Sequence, residues 1–98
     1  MDESGKEAPN VPIDVYQVIA YMVDQMASIA WVKLGLQPDW ATGRIEKDLA
    51  QAKVAIDVTT HLSTFFEPSL EEADKQRIHS LIRDLRLNFV QKSQEENG

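Results

Sequence analysis

Apolar residues recur along most of this chain every three or four positions, which is the period of an amphipathic α-helix. The pattern predicts three helices, over residues 13–34, 44–66 and 69–92, joined by two short loops. No β-hairpin signal competes with this assignment. We therefore predict an all-α fold, in which a long apolar helix is followed by an amphipathic helical hairpin.

Residues at the predicted helix ends support these limits. Pro12 suits the first turn of the first helix, where a missing N–H is tolerated. Gly35 is a suitable left-handed stop for that helix. Thr42 is a candidate cap for the second helix. Ser69 and Glu72 form a capping-box pattern at the start of the third helix.

The first predicted helix is unusually apolar, because 16 of its 22 residues are apolar. At 100° per residue its polar side chains, except Lys33 at the end of the helix, occupy an arc of about 100°, which leaves about 260° apolar. One part of the apolar arc is a small-residue face with Ala20, Ala27 and Ala30. The other part is a bulky ridge formed by Val15, Val18, Met22, Met26 and Ile29. Periodicity alone leaves open which of the two points inward.

This excess of apolar surface favours self-association. The two later helices each present one main apolar stripe, and two stripes would cover about 200° of a central helix. We expect a homodimeric helical bundle whose interface is the bulky ridge. The alternative is complete coverage of the first helix by the rest of its own chain. A membrane span is disfavoured, because Asp24 near the helix midpoint would cost about 2.5–3.5 kcal/mol in the bilayer.

Length and composition indicate one domain. Residues 11–92 form the predicted three-helix domain, while 1–10 and 93–98 are predicted to be disordered acidic tails. The net charge of −6 disfavours attraction to nucleic acid or anionic membranes. The acidic N-terminus does not resemble a secretory signal, so we expect a cytoplasmic protein.

Residue types that carry catalysis are scarce. The chain has no cysteine and two histidines, His61 and His79, and its four glycines do not form a phosphate-binding loop. The carboxylates of Glu71, Glu72 and Asp74 suit the first turn of a helix, where they complement the helix dipole. We expect no catalytic, cofactor or metal site, and a protein that is not an enzyme.

The third helix suggests an alternative function. Residues 75–92 contain five basic residues and one acidic residue. Lys75, His79, Arg83 and Arg86 share the face opposite the apolar stripe and could dock an acidic protein or RNA. A solvated helix exterior explains the same pattern. The nucleic-acid version is weak, because no aromatic residues for base stacking interleave with the charges.

Several residue pairs resemble one known family. The pattern comprises Leu34-Gly35, Gly43, Asp48-Leu49, Ala52-Lys53, Ile56-Asp57, Leu62, Leu70, Glu72 and Asp84-Leu85-Arg86-Leu87. Over residues 16–92 the chain resembles a bacterial family catalogued as a domain of unknown function, number 1844. The resemblance implies a bacterial, cytoplasmic, all-helical protein and no particular activity. Similar sequences tend to have a glycine in the last turn, where this chain has Phe66-Glu67-Pro68-Ser69.

The same resemblance directs attention to two charged residues, Asp57 and Arg86. Both are expected near the edges of their apolar stripes, where a charged group can stay partly solvated. We predict an ion pair that fixes register between the second and third helices, or across a dimer. The alternative is two unrelated surface charges.

Overall fold

The computed structural model describes residues 11–97 and confirms the all-α fold. Its elements are α1 (Val15–Lys33), α2 (Leu49–Phe66), a short 3₁₀ turn (Glu67–Ser69) and α3 (Glu72–Asn97). The predicted N-terminal tail, residues 1–10, lies outside the described residues. All three predicted helices are present, and their limits differ from prediction for local reasons.

α1 and α2 form an antiparallel hairpin that is packed through small side chains. Ala27 and Ala30 of α1 and Ala52 and Ala55 of α2 belong to one buried cluster, and each is at most 4% exposed. Because alanine has only a methyl side chain, the two helix backbones can approach closely. The small-residue face of α1 therefore points inward, and the bulky ridge is left on the outside.

The predicted start of the second helix at Arg44 is wrong, because α2 begins at Leu49. Asp48 is extended and accepts a hydrogen bond from the Gln51 N–H at 3.1 Å, so it is the N-cap. The Asp48 N–H donates to the Lys33 carbonyl at 2.9 Å and ties this start to the end of α1. Thr42 accepts from the Arg44 N–H, inside a turn that precedes the helix.

The predicted stop at Gly35 is confirmed and has the geometry of a Schellman motif. Gly35 has a φ of +82°, in the left-handed region. Its N–H donates to the Val32 carbonyl at 2.9 Å, and the Leu36 N–H donates to the Trp31 carbonyl at 3.1 Å. These two hydrogen bonds satisfy carbonyl groups that would otherwise be unpaired at the helix end.

We predict that Gly35→Ala lowers the free energy of unfolding by about 1–2 kcal/mol, because a left-handed backbone strains any residue with a Cβ. That Cβ would also lie 3.2 Å from the Cβ of Lys47. Gly43→Ala is the matched control, since Gly43 has a φ of +71° but no atom within 4 Å of an added Cβ. Urea unfolding should show a loss for both variants and a larger one for Gly35→Ala. Wild-type stability for Gly35→Ala would contradict the prediction.

α3 starts later and ends later than predicted. The predicted capping box does not form, because the Ser69 hydroxyl donates to the Phe66 carbonyl instead. The helix begins after Glu71, whose carbonyl accepts from the Asp74 and Lys75 N–H groups at 3.0 Å. At the other end, residues 93–97 are helical rather than a disordered tail. Glu96 lies 3.4 Å from the Lys47 ammonium, a contact that sequence pattern could not reveal.

α3 packs mainly along α2, with Leu85 completely buried at their contact. Leu81 and Phe89 of α3 complete this core next to Trp31, near the end of α1. The fold measures 59 × 35 × 18 Å. Its radius of gyration of 16.9 Å exceeds the ~12–13 Å of a compact chain of this length. The elongated shape leaves the first half of α1 without a covering helix.

Candidate functional site

The first candidate surface is an uncovered apolar face on the α1–α2 hairpin. It combines the predicted ridge of α1 with a row of apolar residues on the outer side of α2. We define the α1–α2 face by Val15, Val18, Met22, Met26, Ile29, Val54, Val58 and Phe65. All eight side chains are uncharged. This face brings together apolar residues of α1 and α2 that are 25 or more residues apart in the sequence.

Exposure along the ridge decreases toward the C-terminal end of α1. Val15 is 63% exposed, and Val18 and Met22 are each 45% exposed. Met26 and Ile29 are half-buried, and Met26 packs against the core. The first three residues are therefore the most available for a partner.

The ridge continues onto α2 without an intervening charged residue. Met26 and Ile29 line a shallow depression together with Val54 and Val58 of α2. Val54 is 62% exposed, and Phe65 near the end of α2 is 54% exposed. The two antiparallel helices thus present one broad apolar surface rather than a single stripe.

The second candidate surface is a groove of about 530 Å³ between α2 and α3. α2 contributes mainly hydroxyl groups, and α3 contributes apolar and basic side chains. We define the α2–α3 groove by Thr60, Ser63, Thr64, Glu67, His79, Ile82, Arg83, Arg86, Leu87 and Val90. Leu87 is 60% exposed and Val90 51% exposed, so the groove offers open apolar area between charged groups.

The structure corrects the predicted position of the basic residues on α3. His79, Arg83 and Arg86 were expected opposite the apolar stripe, but they line the α2–α3 groove. They flank the buried row that contains Leu85, and α2 lies alongside, so this flank becomes a groove wall. Lys75, one turn earlier, is not among the lining residues.

The structure brings Asp57 and Arg86 together. An Arg86 guanidinium nitrogen lies 3.5 Å from an Asp57 carboxylate oxygen, and another donates to the Thr60 hydroxyl at 2.9 Å. The Lys53 ammonium donates to Asp57 at 2.9 Å from one turn earlier in α2. This hydrogen bond, with the nearby charges of Lys53 and Arg86, holds the pKa of Asp57 below its ordinary value of 3.8. Arg86 therefore bridges the two helices at the edge of the groove.

The lowered pKa makes the bridge sensitive to acid. Its contribution to stability is complete above the ordinary pKa of 3.8 and is lost as pH falls through the lower pKa of the folded state. The Asp57 and Arg86 side chains are 47% and 49% exposed, so solvent screening limits their coupling to about 0.2–1 kcal/mol. We predict that coupling at pH 7 in a double-mutant cycle of Asp57→Ala and Arg86→Ala, and a smaller value at pH 3. Zero coupling at pH 7 would remove any role in register.

The two histidines lie on different surfaces. His79 contacts Glu67 across the α2–α3 groove. His61 stacks edge-to-face on Phe65 and lines a depression on the α2 side of the α1–α2 face with Val54 and Val58. Within residues 11–97, no group of three or more histidine or carboxylate side chains is placed to hold a metal ion. No helix in that range has the length and apolar character to cross a membrane.

Four contributors to these surfaces were missed from sequence. Lys53 pairs with Asp57, and Glu67 pairs with His79. The spacing of Lys53 and Asp57, four residues apart on one helix, could have predicted the first pair. The second pair joins a turn to a helix 12 residues away, which only the three-dimensional arrangement reveals. Leu87 and Val90 lie off the main apolar stripe of α3, and this was the available signal of an exposed apolar patch.

Comparison with known proteins identifies the family but no function. No curated protein and no solved structure matches the chain significantly. The family model described as "Domain of unknown function (DUF1844)" matches residues 16–91, which include nearly all of the three-helix fold, the α2–α3 groove and the α1–α2 face except Val15. This chain therefore belongs to the DUF1844 family, as the residue pairs along its helices indicated.

Proposed function

We propose that this protein is a non-enzymatic interaction module that forms a homodimer through the α1–α2 face. One observation carries the proposal: the first half of α1 and the segment just before it leave large apolar side chains open to solvent. Seven of them between residues 11 and 22 are each 45% to 87% exposed, namely Val11, Ile13, Val15, Tyr16, Val18, Tyr21 and Met22. Exposed apolar patches of this kind are typical of association sites.

The composition of the patch suits a dimer interface. A standard interface takes about 800 Å² from each partner and has an apolar centre with a polar rim. Val15, Val18 and Met22 would form the centre, while Gln25 and Gln51 are polar neighbours at its edge. Val54 and Phe65 extend the area onto α2. Together the two helices would contribute half of a four-helix bundle.

A second copy is the occupant that the chemistry of this face favours. In a two-fold dimer each patch meets the same patch of the other copy, so it must be compatible with itself. The α1–α2 face meets this condition, because the eight residues that define it are apolar and carry no like charges to bring together. The α2–α3 groove does not, since the same operation would place Arg83 and Arg86 near their own copies.

Cysteine cross-linking tests the proposal directly, because the chain has no cysteine of its own. Single cysteines would replace Val15, Val18, Met22, Met26 or Ile29 in turn, and mild oxidation of dilute protein would follow. Residues near a two-fold axis approach their copies closely enough for a disulfide, which needs Cα atoms about 5.5–6 Å apart. We expect rapid dimer formation at one or more of these positions.

The matched control is Leu87→Cys, at a position 60% exposed on the other surface. It should cross-link only at the slow rate of random collision. Equal rates for the ridge positions and for Leu87→Cys would contradict association through the α1–α2 face. We further propose a bacterial cytoplasmic location, which the family resemblance implies and which fractionation of cells containing the native chain would test.

A further inference from the structure

We propose that the α2–α3 groove binds an acidic amphipathic helix of a second protein. The groove lies on a surface that the proposed dimer leaves free. Two features carry this inference: open apolar side chains in the groove, and basic groups along one wall. The following observations identify the chemistry of the partner.

The apolar part of the groove comes from α3. Leu87 and Val90 are 60% and 51% exposed, and Ile82 is half-buried beside them. The facing residues of α2, which include Thr60 and Thr64, leave this apolar area uncovered. The Thr60 and Thr64 hydroxyls donate to the Ile56 and His61 carbonyls of their own helix, each within 2.8 Å. The side of the partner that enters the groove should therefore be apolar.

The charge of the groove wall is opposite to that of the whole chain. The chain carries a net charge of −6, while the charged residues that line the groove, apart from His79, are Arg83, Arg86 and Glu67. Arg86 is held in position by Asp57 and Thr60, and the Arg83 side chain is 66% exposed. The Arg83 guanidinium also lies 3.8 Å from the Asp84 carboxylate. Two guanidinium groups beside an apolar strip, one of them largely exposed, are suited to carboxylates that flank apolar anchors.

The geometry of the groove suits a helix. His79, Arg83, Arg86 and Val90 recur every three or four residues, so they form one row along α3. The row runs over 12 residues, and its ends lie about 16 Å apart at 1.5 Å rise per residue. A docked helix of about three turns would match that length, with anchors at i, i+3 or i+4, and i+7. The two walls are themselves antiparallel helices, and a third helix packs into such a groove by ordinary ridge-and-groove contacts.

Selection from a displayed library of random 16-residue peptides tests this inference. The full chain would be the target, and Val90→Asp would be the counter-target that removes peptides binding elsewhere. Val90 is 51% exposed, so aspartate should leave the fold intact, which circular dichroism would verify. We expect enriched peptides to carry apolar residues at helical spacing with glutamate or aspartate beside them.

Charge exchange with a synthetic copy of the best peptide provides the second measurement. Arg83→Glu should weaken binding at least tenfold, and replacing the peptide's glutamates with lysine should restore it. Met22→Glu, on the α1–α2 face, should leave peptide affinity unchanged, so failure of the dimer and failure of this groove are distinguishable.

Three outcomes would overturn the inference. The first is the absence of any peptide that distinguishes the native chain from Val90→Asp. The second is peptide affinity that Arg83→Glu does not change. The third is evidence for a different occupant. A fall in solution mass for Val90→Asp would assign the groove to a second copy, and an Arg83-dependent affinity for a fluorescent single-stranded RNA would assign it to nucleic acid.

Discussion

Met22→Glu is expected to convert the dimer into a monomer at concentrations where the native chain is dimeric. Met22 is 45% exposed in the single chain, so glutamate there is compatible with the monomer fold. In a two-fold dimer one substitution introduces two carboxylates into the apolar interface. Desolvating these charges without partners should cost at least ~3 kcal/mol, which corresponds to a ~100-fold or greater increase in the dimer Kd.

Analytical ultracentrifugation at several concentrations would measure that Kd. Leu87→Glu is the control, because it introduces the same charge at an exposed apolar residue outside the α1–α2 face. We expect a native Kd for Leu87→Glu and similar thermal stability for both variants. Equal effects of the two substitutions, or no effect of Met22→Glu, would contradict the assignment of the interface to α1.

Ala30→Leu is expected to produce the largest loss of monomer stability. Ala30 is completely buried between α1 and α2, close to Ala52, which is also completely buried. The added atoms of leucine would have to push the helices apart or adopt a strained rotamer. Overpacking of this kind costs about 1–3 kcal/mol, and the close contact of two alanine faces favours the upper part of that range.

Ala50→Leu is the control for this substitution, because Ala50 is exposed on α2. It should change stability by less than about 0.5 kcal/mol, since no buried contact is altered. Urea unfolding of both variants would test the packing of the hairpin. Equal stability of Ala30→Leu and Ala50→Leu would show that α1 and α2 do not pack as closely as the structure has them.

The helices themselves were predictable because their apolar period is long and consistent. The stop at Gly35 was equally predictable, since glycine tolerates the left-handed backbone that closes a Schellman motif. The start of α2 was not, because Thr42 and Asp48 are both good caps. The contact of Asp48 with the Lys33 carbonyl decides between them. Such contacts join parts of the chain that a local pattern treats separately.

The orientation of α1 shows a second limit of sequence reasoning. Both of its apolar faces could be buried, and periodicity does not rank them. The structure buries the alanine face, because Ala52 and Ala55 on α2 allow matching close approach. The α2–α3 groove was harder still to predict from the sequence, since it depends on how two helices lie side by side. Leu87 and Val90 line a groove only because α2 lies beside them.

The central claim is that this chain associates with itself through the α1–α2 face. The most direct test is the solution mass of the native chain, measured by light scattering after gel filtration over a wide concentration range. We predict a stable mass of twice 11.1 kDa that falls with Met22→Glu. A mass of 11.1 kDa at every concentration would contradict the claim and assign the exposed ridge to a different partner.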